Sequence, residues 1–281
     1  MGFLKNALAG VLSRDELSIL PDGFEWIGHV AVLRLPDLLL PKAEIIAEKL
    51  LQRKGIETVA MRTGPVRGWQ RAPEIKVIAG NPSTETIHRE NGCFFKLDVA
   101  KVIFSKGNIF ERARIPRLVR EGEVVVDMFA GVGQFSIPIA KHARPAKIYA
   151  VEKNRETFGY LLENIRMNKV GHLIHPILGD CKEVAPRGVA DRVIMGIIHV
   201  THTYLPTAID VLKPSGGIIH YHETVPYRML FDRPVKRILN AAGGREVKII
   251  ERRVVKKYSP NVAHVVIDAW IGPKESEKNA H

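Results

Sequence analysis

Three acidic residues stand at or next to the carboxyl ends of three successive apolar runs. They are Asp127, Glu152 and Asp180. Because the carboxyl ends of parallel strands meet at one edge of a sheet, we expect these side chains to lie close together there. Three carboxylates at one edge favour a cationic ligand and repel a diphosphate. The sequence therefore predicts a binding site for a positively charged small molecule.

A glycine loop, DMFAGVGQFS, begins at the first of these acids and opens a helix. Gly131 and Gly133 let the backbone approach a ligand closely, and Glu152 follows where a carboxylate can accept hydrogen bonds from both hydroxyls of a ribose. A dinucleotide site needs a helix N-terminus without a nearby acidic side chain and a third small residue in the glycine motif. Here Asp127 lies on the preceding strand, and Ser136 occupies the third position of the motif. S-adenosylmethionine (AdoMet) has a ribose, a sulfonium and an ammonium but no phosphate, so it fits these residues better.

An ordinary structural interpretation of the same residues exists, in which Asp127 caps a helix and Glu152 is a solvated carboxylate. Three acids at consecutive strand ends favour the binding site instead. Asp180 and Cys181 then lie where the adenine should be, and we interpret Cys181 as a small residue at the adenine edge and not as a nucleophile.

Alternating strands and helices from residue 124 onward must position this site. The predicted strands are 124–128, 148–151, 174–178, 192–195 and 218–222, and the predicted helices cover 135–142, 158–165, 205–212 and 235–242. This repeated order specifies a parallel sheet with helices on both faces. The runs 247–255 and 263–270 have no helix between them, so we expect an antiparallel hairpin at the sheet edge.

The N-terminal third has the pattern of a small α+β unit. Residues 26–35 form a predicted strand, and apolar residues recur at helical spacing over 41–54 before Gly55 ends the helix. The runs 56–62, 74–79 and 93–102 are further predicted strands.

Composition argues against several protein classes. No run of about 18 apolar residues occurs, so we expect no membrane span. Cys93 and Cys181 lie far apart in the sequence, and no Cys-x-x-Cys is present, so neither a disulfide framework nor a zinc ribbon is indicated. The N-terminus lacks the pattern of a secretory or myristoylation signal. We expect a cytoplasmic location.

Net charge indicates a polyanionic partner. The 42 Lys and Arg against 30 Asp and Glu give +12, which favours nucleic acid through counterion release. Half of this excess lies in residues 232–257, which hold nine basic residues and three acids. A solvated helix and strand face is the alternative interpretation. We expect this stretch to bind RNA together with Arg62, Arg67, Arg71 and Arg89.

The glycine loop with Phe129 and Glu152 resembles motifs I and II of the class I AdoMet-dependent methyltransferases. A narrower resemblance covers residues 24–270 and includes the segments Phe104-Ser105, Glu111-Arg112, Gly179-Asp180 and VVVDMFAGVGQFSIPIAKHA. These segments resemble one tRNA-modifying family, which comprises the tRNA guanine methyltransferases acting next to the anticodon and their sister enzyme, tRNA wybutosine-synthesizing protein 2. The resemblance implies an α/β fold with a class I methyltransferase-like doubly wound sheet and tRNA as the partner.

The resemblance also implies which residues bind the cofactor. Ser105 and Arg112 match family residues that lie over AdoMet, with Arg112 as a partner of its carboxylate. The family's Ser-Pro-Arg reads Ser105-Lys106-Gly107 here, which leaves the role of this segment from Lys106 onward open. The full expected cofactor set is Ser105, Arg112, Asp127, Phe129, Gly131, Gly133, Glu152, Asp180 and Cys181.

One departure from the family pattern follows the fourth strand. The methyltransferases have Asn-Leu-Pro or Asn-Pro-Pro there, an amide that holds guanine and a rigid turn that faces the methyl group. Here the sequence is Met195-Gly196-Ile197-Ile198-His199. The sister enzyme moves the 3-amino-3-carboxypropyl group instead of the methyl group, and the loss of the amide and the proline fits that reaction.

Histidines follow the fourth predicted strand and end the fifth. They are His199, His202, His220 and His222. A metal site does not fit a set without cysteine, so polar lining of the base pocket and ordinary packing remain as alternatives. We take His199 and His202 as the candidate catalytic residues and expect no metal.

These observations predict two domains, an N-terminal α+β domain in residues 1–100 that contacts tRNA and an AdoMet-binding catalytic domain in residues 101–281. The activity that the resemblance implies is transfer of the aminocarboxypropyl group to the wybutosine precursor beside the anticodon of tRNA-Phe. A tRNA guanine methyltransferase is the first alternative. A non-catalytic RNA-binding protein is the second, and the intact acids at 127, 152 and 180 argue against it.

Overall fold

The computed structural model describes residues 3–64 and 73–273. Their contacts divide into two units, with Met1–Glu90 and Phe94–Lys106 in unit 1 and Asn91–Cys93 and Gly107–His281 in unit 2. The predicted domain division between residues 100 and 101 stays a prediction.

Unit 1 combines two small sheets with short helices. Its helices are α1 (Phe3–Ala7), α2 (Arg14–Ile19) and α3 (Ala43–Leu51), with a 3-10 helix at Asp37–Lys42. Its strands are β1 (Glu25–Ile27), β2 (Val30–Leu33), β3 (Thr58–Arg62), β4 (Ile75–Gly80), β5 (Glu85–Glu90) and β6 (Cys93–Asp98), of which Cys93 is grouped with unit 2. The first four form one sheet in the order β1-β2-β3-β4, and β5 pairs with β6.

The prediction of a single strand over 26–35 was wrong. The chain turns at Gly28, where φ is +56°, and β1 pairs antiparallel with β2. A side chain at Gly28 would meet the Thr86 hydroxyl, so glycine is required where the turn passes β5. The run of apolar residues extends across this turn, and periodicity alone did not separate the two strands.

Unit 2 contains one seven-stranded sheet with helices packed on it. Its strands are β7 (Val124–Asp127), β8 (Lys147–Glu152), β9 (Ile174–Leu178), β10 (Arg192–Met195), β11 (Gly217–Pro226), β12 (Val247–Ser259) and β13 (Val262–Ile271). Its helices are α4 (Ile109–Leu118), α5 (Ser136–His142), α6 (Arg155–Met167), α7 (Cys181–Val184), α8 (Leu205–Val211) and α9 (Asp232–Ala241). Short 3-10 helices lie at Thr201–Tyr204 and Tyr227–Met229, and a third, Lys106–Asn108, begins at the last residue of unit 1.

The order of the sheet is β12-β13-β11-β10-β7-β8-β9. From the central β7 the chain builds β8 and β9 on one side and then crosses to β10 on the other, so a topological switch point lies between β7 and β10. Strands β7 to β11 are parallel, and β13 pairs antiparallel with both β11 and β12. The predicted doubly wound sheet with a C-terminal antiparallel hairpin is confirmed.

The core of unit 2 lies between the sheet and its helices. Val126, Val193, Ile219 and Ile267 from four strands pack in one buried cluster with residues of α8 and α9, including Ile238. This burial fixes the strand ends in space, because shifting a strand by one residue would turn its apolar side chains away from the core. No helix in the two described ranges is long and apolar enough to cross a bilayer.

Candidate active site

Asp127 holds the glycine loop in place from the end of β7. Its side chain is completely buried. One carboxylate oxygen accepts a hydrogen bond from the Ser136 hydroxyl at 2.7 Å, and the other accepts one from the Phe129 N–H at 3.3 Å. Burial raises the pKa of Asp127 to about 6, against the opposing effect of these hydrogen bonds. Asp127 therefore acts on the loop backbone, and its predicted direct contact with AdoMet stays a prediction.

The two glycines of the loop serve different purposes. Gly131 has φ of +56°, and a Cβ at this position would have no heavy atom nearer than 4.0 Å, so the space above it is open. Gly133 has φ of +94°, and a Cβ there would lie 2.5 Å from Cδ1 of Ile137. Gly133 is thus needed for packing against α5, while Gly131 leaves room for a ligand.

Glu152 braces the same loop from the end of β8. One oxygen accepts a hydrogen bond from the Gly131 N–H at 2.9 Å, and the other accepts one from the Asn154 N–H at 2.7 Å. Burial raises the pKa of Glu152 above its ordinary value, although these backbone hydrogen bonds act in the other direction. Each carboxylate oxygen has a second lone pair, so the side chain can still accept ribose hydroxyls.

Asp180 is the N-cap residue of α7 and is separated from the end of β9 only by Gly179. One oxygen accepts the Lys182 N–H at 3.0 Å as a helix cap, and the other pairs with the Lys153 ammonium at 2.8 Å. Partial burial would raise the pKa of Asp180, but the Lys153 hydrogen bond and the helix cap outweigh it and lower that pKa. The neighbouring Cys181 is buried, which raises the pKa of its thiol to about 12. A thiol that stays protonated is a poor nucleophile.

An aromatic pair that the sequence did not reveal lies beside these acids. The Tyr204 ring meets the Phe129 ring edge-on, with centroids 5.0 Å apart, and the Lys182 ammonium lies 4.5 Å from the centroid of the Tyr204 ring. Burial raises the pKa of Tyr204, and the Asp180 charge raises it further. Nothing in the sequence distinguishes Tyr204 from an aromatic residue of the core. Its contact with Phe129 depends on the loops after β7 and β10, which lie far apart in the sequence.

Arg112 lies in α4 and is fully buried. Its guanidinium donates to the Gln134 side-chain oxygen at 3.2 Å, which places it next to the glycine loop. Ser105 belongs to unit 1 and precedes the 3-10 helix at Lys106–Asn108. The roles of both residues in cofactor binding stay predictions.

The two candidate catalytic histidines have different surroundings. His199 has φ of +73°, and its two ring nitrogens lie 3.1 Å from the Thr224 hydroxyl and 2.9 Å from the Tyr258 hydroxyl. His202 lies in the 3-10 helix after β10, and its buried Nδ1 has no hydrogen-bond partner among the described residues. Thr224 and Tyr258 therefore fix the His199 ring, and the catalytic role of either histidine stays a prediction.

The expectation that His220 and His222 end the fifth strand was wrong. Strand β11 continues to Pro226, because residues 223–226 remain paired with β13. His220 is buried between Asp268, at 2.6 Å, and Arg192, at 2.7 Å. His222 is also buried and lies 3.0 Å from a ring nitrogen of His264, and burial lowers the pKa of His222 to about 3. In the described part of the chain, no group of three or more His, Cys, Asp or Glu residues could hold a metal ion.

The residues present fit AdoMet. The open space above Gly131 is bordered by Glu152, whose carboxylate is anchored to the loop. The site offers carboxylates and backbone groups at one edge of the sheet. Three cations near these groups each have a contact: Lys153 pairs with Asp180, Lys182 lies over the Tyr204 ring, and Arg112 donates to Gln134. This donor set suits a cationic nucleoside.

Two family models match the sequence. The TRM5/TYW2 methyltransferase domain matches residues 86–250, and the TYW2 N-terminal domain matches residues 4–84. The chain belongs to the TRM5/TYW2 family. The resemblance stated from the sequence is therefore confirmed.

Curated relatives include members with two different activities. The tRNA(Phe) (4-demethylwyosine(37)-C(7)) aminocarboxypropyltransferase of Methanocaldococcus jannaschii is 44% identical over 241 residues, which are 84% of this chain and 96% of the relative. The tRNA (guanine(37)-N(1))-methyltransferase Trm5b of Pyrococcus abyssi is 40% identical over 254 residues, which are 89% of this chain and 74% of the relative.

Solved structures of the family have the same fold. TYW2 of Pyrococcus horikoshii in complex with MeSAdo is similar with a TM-score of 0.83 and 34% identity, over 96% of this chain and 98% of that chain. TYW2 of M. jannaschii in complex with AdoMet gives a TM-score of 0.73 and 40% identity, over 89% of this chain and 100% of that chain.

Proposed function

We propose that this TRM5/TYW2 family member transfers the 3-amino-3-carboxypropyl group of AdoMet to the tricyclic wybutosine precursor beside the anticodon of tRNA-Phe. Methylthioadenosine is the by-product. The M. jannaschii relative, which this chain matches over nearly its full length, has this activity by name. The TYW2 type of N-terminal domain in residues 4–84 supports the same activity.

The loop after β10 is the observation in this structure that carries the proposal. A Cβ at Gly196 would lie 2.9 Å from Cε2 of Phe135, so a side chain at position 196 would require the Phe135 ring or the loop to shift. An asparagine there, as in the guanine methyltransferases, would require the same shift. The loop sequence Gly196-Ile197-Ile198 has no amide to hold guanine, and no proline turn to direct the methyl carbon of the co-substrate.

Bound AdoMet supplies a sulfonium that activates each of its three attached carbons toward nucleophilic attack. In the proposed reaction, C7 of the base forms a bond to the first carbon of the aminocarboxypropyl chain, the bond from that carbon to sulfur breaks with its electrons on sulfur, and C7 loses its proton to water. The chain's own residues act by positioning the reactants, because in-line placement can supply a large part of the rate enhancement. Asp127 and Glu152 hold the loop backbone, and the anchored Asp180 offers an acceptor at the adenine end.

Methyl transfer to guanine remains the alternative activity, because the P. abyssi methyltransferase is 40% identical to this chain. The two activities leave different nucleosides. Aminocarboxypropyl transfer releases methylthioadenosine, and methyl transfer releases S-adenosylhomocysteine.

Chromatography of the reaction products tests the proposal. The protein is incubated with AdoMet and tRNA that carries the 4-demethylwyosine precursor, and the nucleosides are separated. We expect methylthioadenosine in amounts equal to the tRNA modified. S-adenosylhomocysteine as the stoichiometric product would overturn the proposal in favour of the methyltransferase.

The site of action on tRNA and the cellular location are further parts of the proposal. We place the target at the anticodon because the family relatives are named for position 37. We propose a cytoplasmic location because the sequence has only two cysteines, which lie far apart and form no Cys-x-x-Cys, and this suits a reducing compartment.

A further inference from the structure

An open cleft lies between helix α9 and the edge strand β12 in unit 2. Its volume is about 430 Å³, and it is lined by Phe231, Asp232, Val235, Lys236, Leu239 and Arg252. We call it the α9–β12 cleft. Leu239 is 50% exposed. The volume is within the range of sites for small ligands, about 300 to 1,000 Å³.

The structure separates the basic residues of this region into two groups. Arg233 and Arg237 both donate to the buried Glu223, and Arg253 pairs with the buried Glu111 at 3.0 Å. Lys236 and Arg252 are exposed and line the cleft, and neither forms an ion pair with another described residue. Two cations therefore face solvent over an apolar floor, with Asp232 as the one acid in the lining.

The register of the sheet gives the distance from the cleft to the candidate active site. Arg252 pairs with Ile267, Ile267 with Tyr221, and Tyr221 with Met195, the last residue of β10. Neighbouring strands lie about 4.8 Å apart, so three steps place Arg252 roughly 14 Å from Met195 and level with the carboxyl edge of the parallel strands. A single RNA strand can reach from one to the other within a few nucleotides.

We propose that the α9–β12 cleft binds an unpaired nucleotide of the tRNA anticodon loop that flanks the target base. This inference rests on the proposed function, because it takes tRNA as the substrate. The base packs on Val235, Leu239 and the Phe231 ring, and the adjoining phosphates pair with Lys236 and Arg252. Apolar contact to base faces combined with phosphate contacts is the usual way in which proteins hold single strands.

A nucleotide fits this cleft better than a second copy of the chain. Each copy carries a net charge of +12, so two copies would repel each other at a face that already presents two cations. RNA brings the opposite charge and a flat apolar surface in one ligand.

The salt dependence of tRNA binding tests the phosphate contacts. Arg252→Gln and Lys236→Gln should each reduce the slope of log affinity against log salt by about 0.7. Arg253→Gln is the matched control, because it removes the same charge from the adjacent residue while Glu111 keeps its bond to Arg114 at 2.7 Å. This control should keep the slope of the unaltered protein. Equal slopes for Arg252→Gln, Arg253→Gln and the unaltered protein would overturn the inference.

A second variant tests the base contact. Leu239→Ser should weaken tRNA binding by about fivefold without changing the salt slope, because it removes apolar area and no charge. Leu118→Ser is its control, since Leu118 is 38% exposed on α4 and does not line the cleft. An anticodon stem-loop should reproduce both effects, and an acceptor-stem duplex should show neither. Unchanged binding by Leu239→Ser would contradict the base contact.

Steady-state kinetics distinguish an error in the cleft proposal from an error in the proposed function. With the unaltered protein active, Arg252→Gln should raise KM for tRNA and leave kcat unchanged. An active unaltered protein together with an unaffected Arg252→Gln variant would reject the cleft alone. An unaltered protein that neither binds tRNA nor modifies it would reject both proposals. Thermal melting of each variant verifies that it is folded.

Discussion

At the scale of single residues, the acids of the site are held by hydrogen bonds to the backbone. Glu152 accepts N–H groups from Gly131 and Asn154, and Asp127 accepts one from Phe129. Bonds of this kind fix the position of each carboxylate before a ligand arrives, so little freedom is lost on binding. Asp127 and Glu152 are therefore held in fixed positions at the edge of the sheet.

Replacing Glu152 by alanine should weaken AdoMet binding about ten- to a hundredfold, which corresponds to roughly 1 to 3 kcal/mol of lost hydrogen bonding. Calorimetry measures the affinity. Glu152→Gln should have a smaller effect, because the amide keeps one acceptor oxygen. Glu183→Ala is the control, since it removes a nearby exposed acid from α7. An affinity that Glu152→Ala leaves unchanged would remove Glu152 from the site.

Asp127 should make the stability of the protein depend on pH. Its folded pKa of about 6 lies above the unfolded value of 3.8, so ionisation is harder in the folded state. The folded state binds more protons between these values, and its stability relative to Asp127→Asn should fall as the pH rises from 4 to 7. A shift of about 2 pKa units gives a loss of at most roughly 3 kcal/mol. Urea unfolding of both proteins at several pH values measures it, and a difference that is constant with pH would contradict the prediction.

The sequence predicted the strand-end positions of the three acids better than the surroundings of the aromatic and histidine residues. Asp127, Glu152 and Asp180 come at strand ends, where period and spacing place them. Tyr204 meets Phe129 only because the loops after β7 and β10 converge, and no local pattern encodes that contact. His220 lies inside β11 because β13 pairs beyond the apolar run, so its position depends on tertiary structure.

At the scale of elements, the contact between the loop after β10 and the start of α5 is tight. Gly196→Ala should destabilise the protein by about 1 to 3 kcal/mol, because the new methyl group would lie 2.9 Å from the Phe135 ring. Gly159→Ala, in α6, is the control, since a Cβ there meets nothing within 4 Å, and it should not destabilise the protein. Denaturant unfolding measures both variants.

The pair of positions 196 and 135 can be tested for direct coupling. Phe135→Leu should relieve part of the cost of Gly196→Ala, so the double variant should be more stable than the sum of the single effects. Strict additivity would mean that the two residues do not press on each other.

Local sequence predicted the elements of unit 2 well and those of unit 1 less well. The strands β9 and β10 match their predicted bounds, and α6 has its buried residues Tyr160, Leu161 and Ile165 at helical spacing. Helix α4 was missed, because its buried face includes Glu111 and Arg112, which have no apolar pattern. Strand β5 was missed for a similar reason. Its buried residues are Thr86 and Glu90, so the strand has no alternation of apolar and polar side chains.

At the scale of the whole molecule, a buried ion network connects α4 to the antiparallel edge of the sheet in unit 2. Arg114 donates to Glu111 at 2.7 Å and to Asp268 at 2.6 Å, and Asp268 also accepts from His220. Burial opposes ionisation of Asp268, but the hydrogen bonds from His220 and Arg114 prevail and lower the pKa of that carboxyl. Removing any one of these side chains would leave a buried charged or polar group without one of its hydrogen-bond partners.

Removing the centre of this network should be costly. Arg114→Met should destabilise the protein by about 3 to 5 kcal/mol, because it leaves two buried carboxylates with fewer partners. Arg144→Met is the control, since Arg144 and Glu121 form a long ion pair at the exposed surface, and it should leave the free energy of unfolding nearly unchanged. Equal stability of the two variants would mean that the network contributes little.

The net charge and the basic stretch can be read from the sequence, but which basic residues are paired and which are exposed cannot. The net charge of +12 and the basic stretch at 232–257 are plain from the residues. Only the structure shows that Arg233, Arg237 and Arg253 are engaged by buried acids while Arg252 faces solvent. Arg67 and Arg71 lie outside the described residues, so their predicted contact with tRNA stays a prediction.

The central claim concerns which carbon of AdoMet is transferred, and isotopic labelling tests it most directly. Precursor tRNA-Phe is incubated with the protein and AdoMet that carries the label either on the methyl carbon or on the carboxyl carbon. The account predicts that label reaches tRNA from the carboxyl position and not from the methyl position, because the loop at Gly196 has no device to direct the methyl carbon. Label that arrives in tRNA only from the methyl position would contradict it.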